Sequence, residues 1–368
     1  MGSAMKASWA GSRHTLCIVI VGWLLTACQS VGTPPALDLP VQPLTDELVF
    51  YSWQEDATSV VFDAFTAESG IKVRHRSYES LDEAEAAIQR GEDVDVVVLE
   101  SARLPRLIAD GQLADLNFSH LPNFKYVSAN FRDLTYDPGN RHSVPNSWGT
   151  TGIVVRLDRV TAPLTRWSDL WRPEYAGRVV FWTTQPRDML GLALHALGYS
   201  ANSENPAEID AATAQLLELV PNAIWLEDAD TSAPWLLDGD AVAAMGWAYD
   251  YWTVQETGVP AAYILPADGA MLWNDNFVIS AHSPNKAAAE RFINFLLRPE
   301  IAAQVIEANY YPMAHETARS FVDPEMQADP VMYPDSSDLR NAELQVPLSP
   351  DGQRLQDAAW QFILSQIP

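Results

Sequence analysis

From residue 47 to residue 111 the chain alternates short apolar runs with helical patterns, and that order admits few architectures. Glu47-Leu-Val-Phe-Tyr-Ser-Trp53 reads as a strand. A helix is expected over residues 57–69, with Val61, Phe62 and Phe65 on one stripe and Gly70 as its stop. Residues 71–78 alternate like a second strand, and Ser80-Leu-Asp-Glu83 has the form of a capping box opening the next helix. Asp95-Val-Val-Val-Leu99 is a β-branched run of the kind buried in parallel sheets, followed by a helix ending near Gly111. Such β-α-β-α-β-α order predicts an open α/β sheet, with ligands held beyond the carboxyl ends of its strands.

The later chain continues the alternation. Strands are expected at 152–156, 177–182, 241–247 and 271–279. Asn205-Pro206-Ala-Glu208 starts a helix with a cap, a first-turn proline and an early acid. Helices follow at 286–297, 300–308 and about 350–366. The roughly 320 residues of the body exceed one comfortable core, so two lobes are expected.

Three strand ends carry an indole and a carboxylate two or three residues apart: Trp53 and Glu55, Trp247 and Asp250, Trp273 and Asp275. In extended chain, residues i and i+2 project to one side. A ring face attracts a cation by its quadrupole, and a carboxylate accepts its N–H bonds, so the pairing suits an organic ammonium. The pattern alone is weak. Trp167 and Asp169, Trp225 and Glu227, and Trp235 and Asp238 also fit it, in a chain with 13 Trp and 48 acids. Core packing and, for Asp250, capping of a helix starting near Tyr251 are the competing readings. Asp275 is the sharpest of these residues. It sits in an apolar strand pattern with no Lys or Arg nearby in sequence, and an unpaired buried carboxylate is costly.

Lys6 and Arg13 precede an apolar run over 16–25 that is too short to span a bilayer and reads as a signal segment. It ends in Leu25-Thr-Ala-Cys28, the form of a bacterial lipoprotein cleavage box, with Cys28 the expected site of lipidation. Residues 29–45, rich in proline, read as a tether. Cys17 lies in the leader, so neither a disulfide framework nor a cysteine metal site is expected. A net charge of −25 argues against nucleic acid as a partner. The histidines form no HExxH or i, i+4 pair, and GxSxG, P-loop and GxGxxG motifs are missing, so neither an enzyme nor a cofactor is expected. Adjacent Tyr310 and Tyr311 raise a ferric site as an alternative, although partner ligands for it are not evident.

Across almost the whole body the sequence resembles bacterial polyamine-binding proteins of ABC importers, the spermidine/putrescine-binding type. The resemblance is carried by Phe50-Tyr-Ser-Trp-Gln-Glu55, Glu68-Ser-Gly-Ile-Lys-Val73 and Trp167-Ser-Asp-Leu-Trp-Arg-Pro-Glu-Tyr175. Leu197-Gly-Tyr-Ser200, Ile293-Asn-Phe-Leu-Leu-Arg-Pro-Glu300 and Tyr311-Pro312 add to it. It implies an α/β two-lobe periplasmic-binding-protein fold (type II, Venus-flytrap) with two chain crossovers, closing on its ligand like a clamp. The lobes expected are 46–149 with 275–321, and 150–274 with 322–368.

By position the resemblance places Trp53 and Glu55 in the first lobe's ligand wall and Trp247 in the second's. Trp273 and Asp275 become an indole and an ammonium anchor, Tyr311 and Gln345 a further aromatic and polar contact. Asp250 matches the putrescine-preferring branch. Asp56 stands where the family usually has Tyr, Ala102 where an aromatic is often found, and Gln185 where an acid occurs, with Asp188 a candidate replacement acid. These departures favour putrescine over spermidine. The expected protein is a monomeric, lipid-anchored periplasmic receptor serving permease subunits with a cytoplasmic ATPase. Another small organic cation, or a sensory lipoprotein of the same fold, is the alternative.

Overall fold

A computed structural model describes residues 45–56, 58–227 and 231–368. The leader, Cys28 and the tether up to residue 44 lie outside the described residues. Ten strands form the framework. They are β1 (Glu47–Ser52), β2 (Lys72–Ser77), β3 (Val96–Glu100), β4 (Ser143–Arg156), β5 (Val179–Trp182), β6 (Ile224–Leu226), β7 (Ala243–Gly246), β8 (Ala261–Ile264), β9 (Met271–Ile279) and β10 (Glu343–Leu344). They pair in the order β2-β1-β3-β9-β4-β7-β5-β6, with β10 beside β9 and β8 beside β4.

Two cores sit at the two ends of this path. In β1, Leu48 and Phe50 face one cluster while Val49 and Tyr51 face another, and β3 splits the same way: Val96 and Val98 against Val97 and Leu99. Burial on both faces is why the run 96–99 is continuously apolar. The second core repeats the scheme. Ile153, Val155, Val179 and Phe181 lie on one side, and Val154, Val180 and Ala244 on the other.

Two long strands join the cores. β4 places Val144 in the first and Ile153 and Val155 in the second; β9 places Met271 in the second and Phe277 and Ile279 in the first. They pair antiparallel, with an irregularity between Pro145 and Trp148. Val322 and Met332 pack in the first core, and Trp360 and Ile363 in the second, so the last passage of the chain follows Met332. The architecture is the α/β two-lobe fold expected from the sequence.

Local signals act as their chemistry predicts. The first helix spans Ser59–Ser69 and ends at Gly70, whose φ of 75° is left-handed. Ser80 Oγ accepts the Glu83 N–H at 3.2 Å, but the Glu83 carboxylate turns to the Glu79 N–H, so the capping box is only half closed. Asn205 Oδ1 accepts the Ala207 N–H at 3.0 Å, with Pro206 in the first turn.

Candidate functional site

Strand order explains where the cleft lies. On the first side β1 stands between β2 and β3, so the chain order reverses beside β1, the place where open α/β sheets leave a crevice at the carboxyl ends. Trp53, Glu55 and Asp56 follow β1, and Glu100 ends β3. On the second side Trp247 follows β7 and Gln185 follows β5. The connecting strands contribute Ser147 from β4 and Trp273 and Asp275 from β9. These residues, with Tyr249, Asp250 and Tyr311, line a cleft of about 670 Å³.

Each indole is positioned by a specific contact. The Trp53 ring meets Tyr78 edge-on at 4.5 Å. Trp247 donates its ring N–H to Thr151 Oγ1 at 3.1 Å and packs obliquely on Trp182 at 5.6 Å. Trp273 meets Tyr311 edge-on at 5.0 Å and 85°. Gly149 on β4 makes room for this ring, since a Cβ there would lie 2.3 Å from Trp273 Cζ2.

The carboxylates differ sharply in how they are held. Asp250 is 1% exposed and fully engaged. Its Oδ1 accepts from Thr231 Oγ1, the Ser232 N–H and Ser232 Oγ at 2.7–3.0 Å, and its Oδ2 accepts the Trp247 N–H at 3.0 Å. It thus caps the helix Ala248–Gln255 and ties Trp247 in place. Asp56 accepts from Asn309 Nδ2 at 3.2 Å, while its Oδ2 has no partner. Burial raises its pKa to about 6.

Asp275 is 6% exposed, and its Oδ1 accepts no hydrogen bond. Burial, then the charges of Glu100, Asp56 and Glu55, push its pKa well above the carboxylate range; the facing Trp53 side chain opposes this. Glu100 is its direct cross-strand partner in the β3–β9 ladder. Burial, then the charge of Asp188, raise Glu100 to about 7, opposed by Arg103 and Arg187. Neither arginine pairs with it: Arg103 reaches Asp82 and Glu85, and Arg187 reaches the Val346 carbonyl and Asn202. Among the described residues no ion pair reaches Asp56, Glu100, Asp188 or Asp275. Burying such groups in ionised form without partners is costly, so the lining is chemically suited to a cation.

Two expected contacts stand apart from the cleft lining. Gln345 follows β10 and is 3% exposed, and neither its Oε1 nor its Nε2 has a hydrogen-bond partner. Asp188, in the first turn of the helix Pro186–Ala196, is also buried, with Oδ1 unpartnered. Burial raises its pKa, and the side chains of Thr151 and Gln345 oppose the shift without closing a hydrogen bond to Oδ1.

The adjacent tyrosines diverge. Tyr310 has a left-handed φ of 59°, stacks on Trp252 and donates its hydroxyl to Glu256, while Tyr311 turns into the cleft. Burial and the surrounding acids push the Tyr311 phenol well above its ordinary pKa, which opposes the phenolate a ferric ion would need. Among the described residues no group of three His, Cys, Asp or Glu is arranged to hold a metal.

Glu100, Ser147 and Tyr249 were not foreseen. The signal for Glu100 was available: an acid closing a buried β-branched strand, on the side where ligands bind. Ser147 and Tyr249 had none, because they are placed by the strand irregularity and by the helix that Asp250 caps.

A cleft between two α/β lobes joined by long strands, walled by indoles and buried acids, defines a two-lobe binding protein. The family described as bacterial extracellular solute-binding protein matches residues 61–334. The spermidine/putrescine-binding periplasmic protein of Escherichia coli (strain K12) is 34% identical over 301 residues, covering 81% of this chain and 86% of its own. The putrescine-binding periplasmic protein PotF of the same organism is 29% identical over 339 residues, covering 86% and 91%. A solved spermidine/putrescine ABC transporter substrate-binding protein, PotD from Streptococcus pneumoniae, superposes with a TM-score of 0.76 at 25% identity, covering 88% of this chain and 100% of that one. The chain belongs to the bacterial extracellular solute-binding family.

Proposed function

We propose that this protein is the polyamine receptor of an ABC importer, binding an aliphatic polycation between its lobes and presenting the closed form to permease subunits driven by a cytoplasmic ATPase. The observation that carries this reading is Asp275: a buried carboxylate with a bare oxygen, among indoles and further acids, with no ion pair. An ammonium group meets that need, and a methylene chain suits the walls of Trp53, Trp247, Trp273 and Tyr311. Relatives named for spermidine and putrescine support the ligand class. Putrescine, which the departures at Asp56, Ala102 and Gln185 favour, would place an ammonium group at Asp275.

Each cation–π contact contributes about 0.5–2 kcal/mol once desolvated. Each charge-assisted hydrogen bond contributes about 1.5–3 kcal/mol. Several of each overcome association costs of several kcal/mol and give micromolar or tighter binding. Asp250 acts in this scheme by holding Trp247, and Asp188 and Gln345 act from behind the cleft. A lipid on Cys28, with a tether after it, would keep a monomeric receptor at the membrane surface. Intrinsic tryptophan fluorescence tests the reading. Putrescine or spermidine at micromolar concentration should change the emission of the cleft indoles, and glutamate should not. Equal responses to amine and amino acid would defeat it.

A further inference from the structure

The acid that closes β3 has no place in the scheme drawn from the sequence, and its surroundings give it one. Glu100 lies directly opposite Asp275 in an antiparallel ladder. Directly paired residues hold their Cβ atoms about 4.5–5.5 Å apart on one face, and like charges so placed repel. From the second lobe, Asp188 adds a third carboxylate whose charge acts on Glu100. The charged groups that face this cluster are Glu55 and Asp56 after β1, and Arg103 and Arg187. Neither arginine forms an ion pair with the cluster; their Nη groups bond Asp82 and Glu85, and the Val346 carbonyl and Asn202. One end of the cleft therefore brings the half-buried Glu100 beside the buried Asp275, with buried Asp188 behind them, and none of the three has an ion pair among the described residues.

We propose that Glu100 is a specificity-determining ligand anchor, which with Asp275 takes two charged nitrogens at one end of the ligand, the charge of Asp188 acting from behind, and so selects a triamine over a diamine. One ammonium neutralises one carboxylate of the cluster and leaves the others in repulsion; a second amine a few methylenes away neutralises another. The departure at Gln185 removes an acid from this end, and Glu100 supplies one from the facing lobe. The inference rests on the polyamine reading and narrows it. Proton exchange accompanies it: carboxyl groups that keep their protons in the empty cleft lose them to solvent when ammonium groups arrive.

The test is calorimetric titration of the wild-type protein, Glu100→Gln and Glu100→Ser with putrescine and spermidine, each in two buffers of different ionisation heat near pH 6.5. The wild type should bind spermidine at least tenfold tighter than putrescine and release protons as it does so. Both variants should fold, lose at least tenfold in that preference and release fewer protons. A preference unchanged within twofold in the variants, or equal proton release, overturns the role of Glu100 while leaving the polyamine receptor intact. Failure of the wild type to bind either amine overturns both.

Discussion

Replacing Asp275 by Asn should move affinity and stability in opposite directions, a combination that ordinary core damage does not produce. In the empty cleft the carboxylate is 6% exposed, has one bare oxygen and faces Glu100, Asp56 and Glu55. Asn is nearly isosteric and does not titrate, while its carbonyl can still face the Trp53 side chain. Removing an acid that must hold its proton at neutral pH, or ionise while buried among other acids, should stabilise the empty protein by on the order of 1–2 kcal/mol. For a body of this size that is a rise in Tm of about 2–4 °C. Ligand binding loses a charge-assisted hydrogen bond of about 1.5–3 kcal/mol, so the dissociation constant should rise about 10- to 150-fold. Differential scanning calorimetry of the empty variant and titration with putrescine measure the two quantities on one preparation. Unchanged affinity would refute the anchor role, and a lowered Tm in the empty variant would refute the assignment of Asp275 as an uncompensated acid.

Other expectations follow from the same geometry. Gly149→Ala should force the Trp273 ring out of place, weakening polyamine binding tenfold or more in a fluorescence titration; unchanged affinity would show that the ring is not a ligand wall. Asp250→Ala, which orphans the donors of Thr231, Ser232 and Trp247, should cost about 2–4 kcal/mol in a denaturant titration. Tyr310→Phe should leave amine affinity within twofold, since its hydroxyl serves Glu256 outside the cleft. Glu100 and Asp56 keep their protons to about 7 and about 6 in the folded empty protein, against ordinary values near 4 in the unfolded chain. The folded state then binds more protons than the unfolded one, so these groups make stability fall as pH rises from about 4 to 7. Thermal scans at pH 5, 6 and 7 should show that decline in the empty protein and a smaller one with saturating spermidine.

How far the sequence spoke for itself depended on whether a signal was local. The strand at β9 was legible because apolar residues flank Asn274-Asp275-Asn276 on both sides, and Trp273 and Asp275, spaced i, i+2, both line the cleft. The first half of β4 was not, because Pro145, Asn146 and Gly149 break the strand pattern. That segment is shaped by its partner β9 and by the ring it must clear, which are long-range facts. Asp250 was open to two readings, and its four hydrogen-bond donors come partly from residues 231 and 232, beyond the reach of any local pattern. Asp188 and Gln345 came from family position, which fixes place along the chain but not the few ångströms separating a lining residue from one behind it. Glu100 is legible by rule, as an acid closing a buried β-branched strand, but no indole stands beside it in sequence to mark it.

The central claim is that a positively charged aliphatic guest completes this cleft. Isothermal titration with spermidine, putrescine and 1,4-butanediol, the last matching putrescine in chain length without its charge, tests it most directly. Saturable one-to-one binding of both amines at micromolar or lower concentration, with no detectable heat from the diol, is the predicted result. Binding of the diol comparable to putrescine, or of neither, would contradict the account.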